Sequence, residues 1–225
     1  MSDNGDSCLI ISPTGKTVLI DTGEQENVLL EYLLDKGIKK IDYLMISHFD
    51  SDHSGKTVEI IENLKVKNLI ISKQAEFSQE FENVIDKVRE KNIKIMKVQA
   101  GDIIKIDKDI YFEILWPKTE ETIKDNALNN NSIVAKMRYK SFSILFTGDI
   151  EEEAEEEIIE GYNEYELNAT VLKVAHHGSK TSSTEQFIKA VNPKVALIGV
   201  GKDNKFGHPN EEVLERLKKI RGKDL

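Results

Sequence analysis

Short runs rich in Ile, Val and Leu, each of strand length, alternate along this chain with stretches whose apolar residues recur at helical spacing. The order of these runs constrains the fold more than any other feature. "SCLIIS" (7–12) and "KTVLIDTG" (16–23) flank the turn "PTG" and read as a hairpin. "ENVLLEYLLDKG" (26–37) reads as a helix stopped at Gly37, a residue suited to a helix C-terminus. A strand "IDYLMIS" (41–47), a helix "KTVEIIENL" (56–64) and a strand "VKNLIIS" (66–72) follow. Next come an amphipathic helix "FSQEFENVIDKVREKN" (77–92) and a strand "IKIMKV" (93–98). "DIIKI", "IYFEILW", "SIVAKMRY" and "FSILFTGD" form a β-rich meander over 102–149. The helix "IEEEAEEEIIEG" (150–161), strand "ATVLKVA" (169–175), helix "TEQFIKAV" (184–191), strand "KVALIGV" (194–200) and helix "NEEVLERLKKI" (210–220) complete the chain. One sheet would need many strands, so two sheets with helices outside is the economical packing. The two halves echo one another, each running from a hairpin to a strand and then a histidine-bearing loop.

With 225 residues, of which 39% are hydrophobic and 32% charged, the chain reads as one globular domain over residues 1–225. No apolar run approaches the roughly 20 residues a membrane helix needs. The polar, acidic "MSDNGDSCLI" lacks the basic-then-apolar pattern of a secretory signal. The lone Cys8 excludes an internal disulfide and reads as a strand thiol. These features fit a cytoplasmic protein with no membrane partner. The net charge of −9, concentrated in "DIEEEAEEEIIE" (149–160), argues against broad phosphate-backbone binding. It does not exclude a phosphodiester substrate, because bound divalent ions reverse the local sign.

The five histidines, His48, His53, His176, His177 and His208, all fall in loops at element ends. Strand-end loops are where such folds gather their sites. In "ISHFDSDHSG" (46–55), His48, Asp50, Asp52 and His53 crowd together directly after an apolar run. Imidazole suits zinc, and carboxylates suit zinc, manganese or harder ions. Packed together without a cation, four such groups would repel or stay poorly solvated. A calcium loop beginning at Asp50 is excluded, since its twelfth position is Ile61 rather than Glu. "TGKT" (14–17) and "SGKT" (54–57) are not phosphate loops, because Ile10 and Asp50 stand where the first glycine is required.

"SHFDSDHSG" resembles the metal signature His-x-His-x-Asp-His of the metallo-β-lactamase superfamily. "LIDTG" (19–23), "LFTGD" (145–149) and "LKVAHHGS" (172–179) resemble its other motifs, in the same order. More narrowly, "NGDSCLI", "HFDSDHSG", the stretch 129–157, "LKVAHHGSKTSS" and "NKFGHPNEEVLERL" resemble the cytoplasmic hydrolase domain of ComEC-type competence proteins and related free-standing metallo-hydrolases.

The resemblance implies a four-layer αβ/βα sandwich, two mixed β-sheets flanked by helices, with one or two divalent ions (zinc or manganese) at one edge. His48 and Asp50 would hold the first ion, Asp52 and His53 the second, and Asp149 would bridge them. His176 or His177 would complete the second site, with His177 favoured because it precedes Gly178. Asp21 would brace the ligands from behind. Asp50 stands where the common signature has a second histidine, which makes the site oxygen-rich and favours manganese. No histidine lies between His53 and His176, so the family's middle histidine ligand has no counterpart, and Asn130, Asn131 or His208 would have to compensate.

A cation lowers the pKa of bound water to near neutrality, and two about 3.5–4 Å apart polarise the scissile group as well. Asp52 would orient the nucleophile. His208 would protonate the leaving group, contact a substrate anion, or serve as a capping or packing residue. Asn131 and the donor-rich turn Ser179–Ser182, with Lys180, are candidate substrate contacts; an ordinary capped helix start explains that turn equally well. The expected activity is metal-dependent hydrolysis of a phosphodiester, such as a nucleotide or single-stranded DNA. The alternatives are hydrolysis of another ester, thioester or lactam, and a non-catalytic metal-binding interaction module.

Overall fold

The computed structural model describes residues 5–75, 78–118, 122–201 and 204–221. In chain order the elements are β1 (Cys8–Ile11), β2 (Thr17–Ile20), α1 (Val28–Asp35), β3 (Lys40–Ile41), β4 (Tyr43–Met45), α2 (Ser51–Ser54) and α3 (Thr57–Asn63). They continue with β5 (Lys65–Val66), β6 (Asn68–Ser72), α4 (Gln79–Glu90), β7 (Lys94–Val98), β8 (Ile103–Asp107), β9 (Ile110–Trp116) and α5 (Ala127–Asn130). The remainder are β10 (Val134–Tyr139), β11 (Phe142–Phe146), α6 (Glu152–Gly161), α7 (Glu164–Leu167), β12 (Val171–Lys173), α8 (Glu185–Val191), β13 (Val195–Leu197) and α9 (Glu211–Arg221).

The strands form two mixed sheets, ordered β1-β2-β4-β6-β7 and β13-β12-β11-β10-β9-β8, with β3 and β5 paired as a separate short ribbon. In the first sheet only β1 runs antiparallel to its neighbour. In the second, β11, β12 and β13 are parallel and the rest antiparallel. Both halves therefore place a hairpin beside a parallel strand: β1-β2 beside β4, and β10-β11 beside β12.

Side-chain alternation builds the layers. Along β2, Val18 and Ile20 face the second sheet, where they meet Phe112, Ile144 and Phe146. Leu19 points the other way, into a core with Leu33 of α1, Ile60 of α3 and Val84 of α4. Along β11, Ile144 and Phe146 face inward while Leu145 packs outward against Ile158, Phe187 and Val213 of α6, α8 and α9. Helices, sheet, sheet, helices is the four-layer sandwich expected from the sequence. Each fully buried Leu, Ile or Phe in these layers stabilises it by roughly 1.5–3 kcal/mol.

Some local readings need correction. "IDYLMIS" is not one strand, because it breaks at Asp42, whose buried carboxylate accepts from the Thr17 backbone N–H and pairs with Lys40 and Lys67, both at 3.0 Å. A side chain that must satisfy three partners cannot keep its place on an alternating strand. The helix read over 77–92 begins at Gln79 behind the N-cap Ser78, and its first residue, Phe77, lies outside the described residues, as does Asn4 of "NGDS". Cys8 is half-buried in β1, and burial raises its thiol pKa to about 11, which keeps it unreactive. No helix among the described residues is long and apolar enough to cross a membrane.

Candidate metal centre

Parallel pairing sets where the chain leaves each sheet. Ile20 lies level with Met45, and Phe146 with Lys173, so the loops after β2, β4, β11 and β12 all emerge at one edge. Those loops carry Asp21, His48 to His53, Asp149 and His176–His177. The sheets are joined there by a hydrogen bond from Ile133 N–H to the Ser47 carbonyl, 2.9 Å, and within the second sheet the His176 N–H ties its turn to the Gly148 carbonyl, 3.2 Å.

The loop after β4 curls into α2, and Asp50 caps it by accepting from the Ser51 N–H at 2.7 Å. That turn places Asp50 and Asp52 beside the cleft while His53 is buried inside. Asp21 is buried behind the centre. Its carboxylate accepts from the Ser47 N–H at 2.7 Å and the Ser47 hydroxyl at 2.8 Å, and lies 2.9 Å from His53 Nδ1. Three partners hold this residue in a left-handed backbone conformation, φ 57°. With its Nδ1 held by Asp21, the His53 ring presents Nε2 to Asp149 Oδ1, 3.1 Å away.

His176 and His177 occupy a tight turn in which both are left-handed, with φ of 47° and 53°. The turn separates their roles. His177 is buried, its Nδ1 donates to the Gly199 carbonyl at 2.8 Å, and its Nε2 lies 3.0 Å from Asp52 and 3.6 Å from Asp149. A carbonyl only accepts, so the Nδ1 proton is assigned and Nε2 is the atom aimed at the carboxylates. His176 is half-buried and leans on Glu151 at 3.3 Å, with its Nε2 4.0 Å from Asp149. The structure thus brings His177, rather than His176, into contact with Asp52.

Gly148 positions Asp149. It has φ 51°, and a Cβ there would meet the Ser132 Cβ at 2.7 Å, so the approach of the two loops requires a glycine.

The electrostatics are those of a site that binds cations. Burial opposes charging His53, yet the Asp149 and Asp21 carboxylates override it and hold its pKa well above the ordinary value. Burial likewise opposes His177, and its hydrogen bond to Asp52 wins. Burial would raise Asp149, but the histidines hold it well below the carboxylate range. Among the described residues no carboxylate pairs with His48, and burial followed by His53 brings its pKa down to about 4, leaving a neutral ring. The carboxylates thus favour positive charge at His53 and His177, the charge that a divalent ion brings when it displaces their protons.

The donor set fits a metal. His53, Asp149 and His177, together with Asp6, each offer a ligand atom within 4.8 Å of one another. His48 Nε2 is buried without a hydrogen-bond partner, and His53 Nε2 and Asp149 Oδ1 face each other at 3.1 Å with no further partner, an arrangement costly for buried polar atoms unless a cation accepts their lone pairs. Nitrogen and oxygen donors about 2 Å from one ion sit roughly 3 Å apart, the spacing seen here.

Other expected residues fall elsewhere. Asn131 is buried, and its amide braces the loop through Ile123 and Ala127, so it does not face the cleft. Asn130 is held by Asp125 and by the Glu151 N–H. Ser179 bonds Thr181, and Lys180 is exposed. Neither Ser179 nor Lys180 lines the cleft of about 220 Å³ over the centre, which Asn129 and His208 do. Asp6 escaped notice as a site residue, although its "NGDS" motif was visible. It is buried, paired with Lys173 at 2.5 Å, and its N–H donates to the Asp52 carbonyl at 3.0 Å, which sets its carboxylate beside the centre.

The model of the metallo-beta-lactamase superfamily matches residues 3–202. The chain belongs to that superfamily. ComE operon protein 3 of Bacillus subtilis (strain 168) is 36% identical over 234 residues, covering 96% of this chain and 29% of that protein. Recombination protein 2 of Haemophilus influenzae is 29% identical over 215 residues, covering 92% of this chain and 24% of its own length. The chain therefore spans less than a third of these curated relatives. Among solved structures, Igni18, a metallo hydrolase of the archaeon Ignicoccus hospitalis, gives a TM-score of 0.64 at 16% identity, covering 99% of this chain and 89% of that one. CmlA, a diiron β-hydroxylase from Streptomyces venezuelae, gives 0.61 at 12% identity, covering 98% and 52%. At these identities the structural likeness concerns the metallo-beta-lactamase fold alone. Superfamily and donor cluster together describe a metal-dependent hydrolase.

Proposed function

We propose that this hydrolase is a phosphodiesterase acting on a nucleotide or single-stranded DNA. The observation that carries the reading is the convergence of Asp52, His53, Asp149 and His177 beneath an open cleft. The oxygen-rich character of the set, with Asp50 at the cleft, suits phosphate chemistry and manganese as well as zinc. Relatives named for competence and recombination support a nucleic-acid substrate.

His48, Asp50, Asp52, His53, Asp149 and His177 would hold one or two divalent ions, and a bound ion supplies Lewis-acid polarisation and an acidified water. The protein's residues do the rest. Asp21 and the Gly199 carbonyl fix the tautomers of His53 and His177. Asp52 sits at the cleft floor as the acceptor that orients the attacking nucleophile. Burial, with His176 and His177 beside it, lowers the pKa of His208, which favours a neutral ring that hydrogen-bonds the substrate. Hydrolysis of bis-p-nitrophenyl phosphate with manganese and with zinc, alongside metal analysis, tests the reading. We expect turnover with at least one metal and a loss of at least 100-fold in Asp149→Ala. A metal-loaded protein that cleaves no diester, or an Asp149→Ala variant as active as the parent, overturns it.

A further inference from the structure

The residues lining the cleft include Asp50, Asp52 and Glu24 but, among the described residues, no lysine or arginine. Among the described residues an anionic substrate therefore meets no lysine or arginine there, and affinity beyond what a divalent ion provides must come from other contacts. Phe206 lines the same cleft and is 68% exposed. Its ring stacks on His208 with centroids 5.9 Å apart and planes at 26°, and His208 stacks in turn on His177, 6.5 Å and 15°. A ladder of rings thus leads from the cleft mouth to the donor cluster.

The ladder is held in place. The Asn204 side chain closes the loop, donating to the His208 carbonyl at 2.7 Å and accepting from the His208 N–H at 2.9 Å. The Asn210 N–H donates to the Gly178 carbonyl at 2.8 Å, and a Cβ on Gly178 would meet the Pro209 Cβ at 2.8 Å, so the loop rests directly on the His177 turn. An anchored aromatic ring with one face supported and the rest open is a stacking platform.

We propose that Phe206 stacks a base of the substrate next to the scissile phosphodiester, making it a specificity-determining residue for nucleotide over non-nucleotide diesters. The inference rests on the phosphodiesterase reading. Two diesters that share a p-nitrophenolate leaving group, thymidine 5′-(p-nitrophenyl phosphate) and methyl p-nitrophenyl phosphate, test it with the manganese-loaded chain. Stacking is worth enough per base that Phe206→Ala should lower the preference for the thymidine ester by roughly tenfold, through KM, while Phe206→Trp retains it. An unchanged preference in Phe206→Ala overturns the proposal. If the parent protein cleaves neither diester, the phosphodiesterase reading falls by itself, and binding of thymidine 5′-monophosphate to the manganese-loaded protein decides the platform. Binding about tenfold weaker in Phe206→Ala sustains it, and equal binding removes it.

Discussion

Asp21 shows how one side chain makes a neighbour useful. It touches no substrate, yet it holds His53 and ties the strand end at Ser47 to the centre. Asp21→Asn keeps an acceptor for the Ser47 N–H but lacks the charge that orients His53. We expect a folded protein whose manganese or zinc affinity, by titration calorimetry, falls about 10–100-fold; an unchanged affinity would show that His53 is oriented by other contacts. His48, Asp50, Asp52 and His53 stand out in the sequence because ligand-type side chains crowded at a strand end have no better explanation, whereas Asp149 is marked only by the motif resemblance. The choice between His176 and His177 does not, since neighbours in sequence are separated only by the left-handed turn and by Gly199, twenty-two residues further on.

At the scale of elements, Glu155 joins two helices and the loop that follows the histidine turn. Buried in α6, its carboxylate accepts from the N–H groups of Ser183 and Thr184 at the start of α8. Burial is the larger influence and raises its pKa from 4.5 to about 7, against the pull of those hydrogen bonds. Between these values the folded chain holds a proton that the unfolded chain lacks, so this group's contribution to stability is greatest below pH 4.5 and is lost as pH rises through 7, by up to roughly 3 kcal/mol. Unfolding curves of Glu155→Gln and the parent across pH 4–8 should differ by that slope; parallel pH profiles would contradict it. In sequence Glu155 is one acid among many in "DIEEEAEEE", and nothing local marks it as buried. Lys136 is similar: a lysine in a strand reads as solvent-facing, yet here it is fully buried and donates to the Glu166 carbonyl at 2.6 Å, tying β10 to α7. The strand break at Asp42 was hidden for the same reason, because Thr17 and Lys67, both distant in sequence, help to set it.

For the whole molecule, the centre is a joint between the two sheets, so an ion held there bridges both halves. A metal that binds only the folded chain adds about 2.7 kcal/mol to the unfolding free energy at 100 times its Kd. The melting temperature should rise with manganese or zinc and fall with a chelator, and Asp149→Ala should remove most of the response; an equal shift in that variant would place the ion elsewhere. By itself the sequence determined two sheets with helices outside, because apolar periodicity reports which faces must leave water; the family resemblance supplied the four-layer arrangement, and residue types at strand ends supplied the candidate donors. Tertiary structure alone decided which donors meet. It set Asp6 and Lys173 against the centre, turned Asn131 away and Asn129 toward the cleft, put His177 rather than His176 against Asp52, and stood Phe206 at the cleft mouth. Contacts such as these depend on parallel register and on loops approaching from opposite sheets, and distance along the chain carries no record of either.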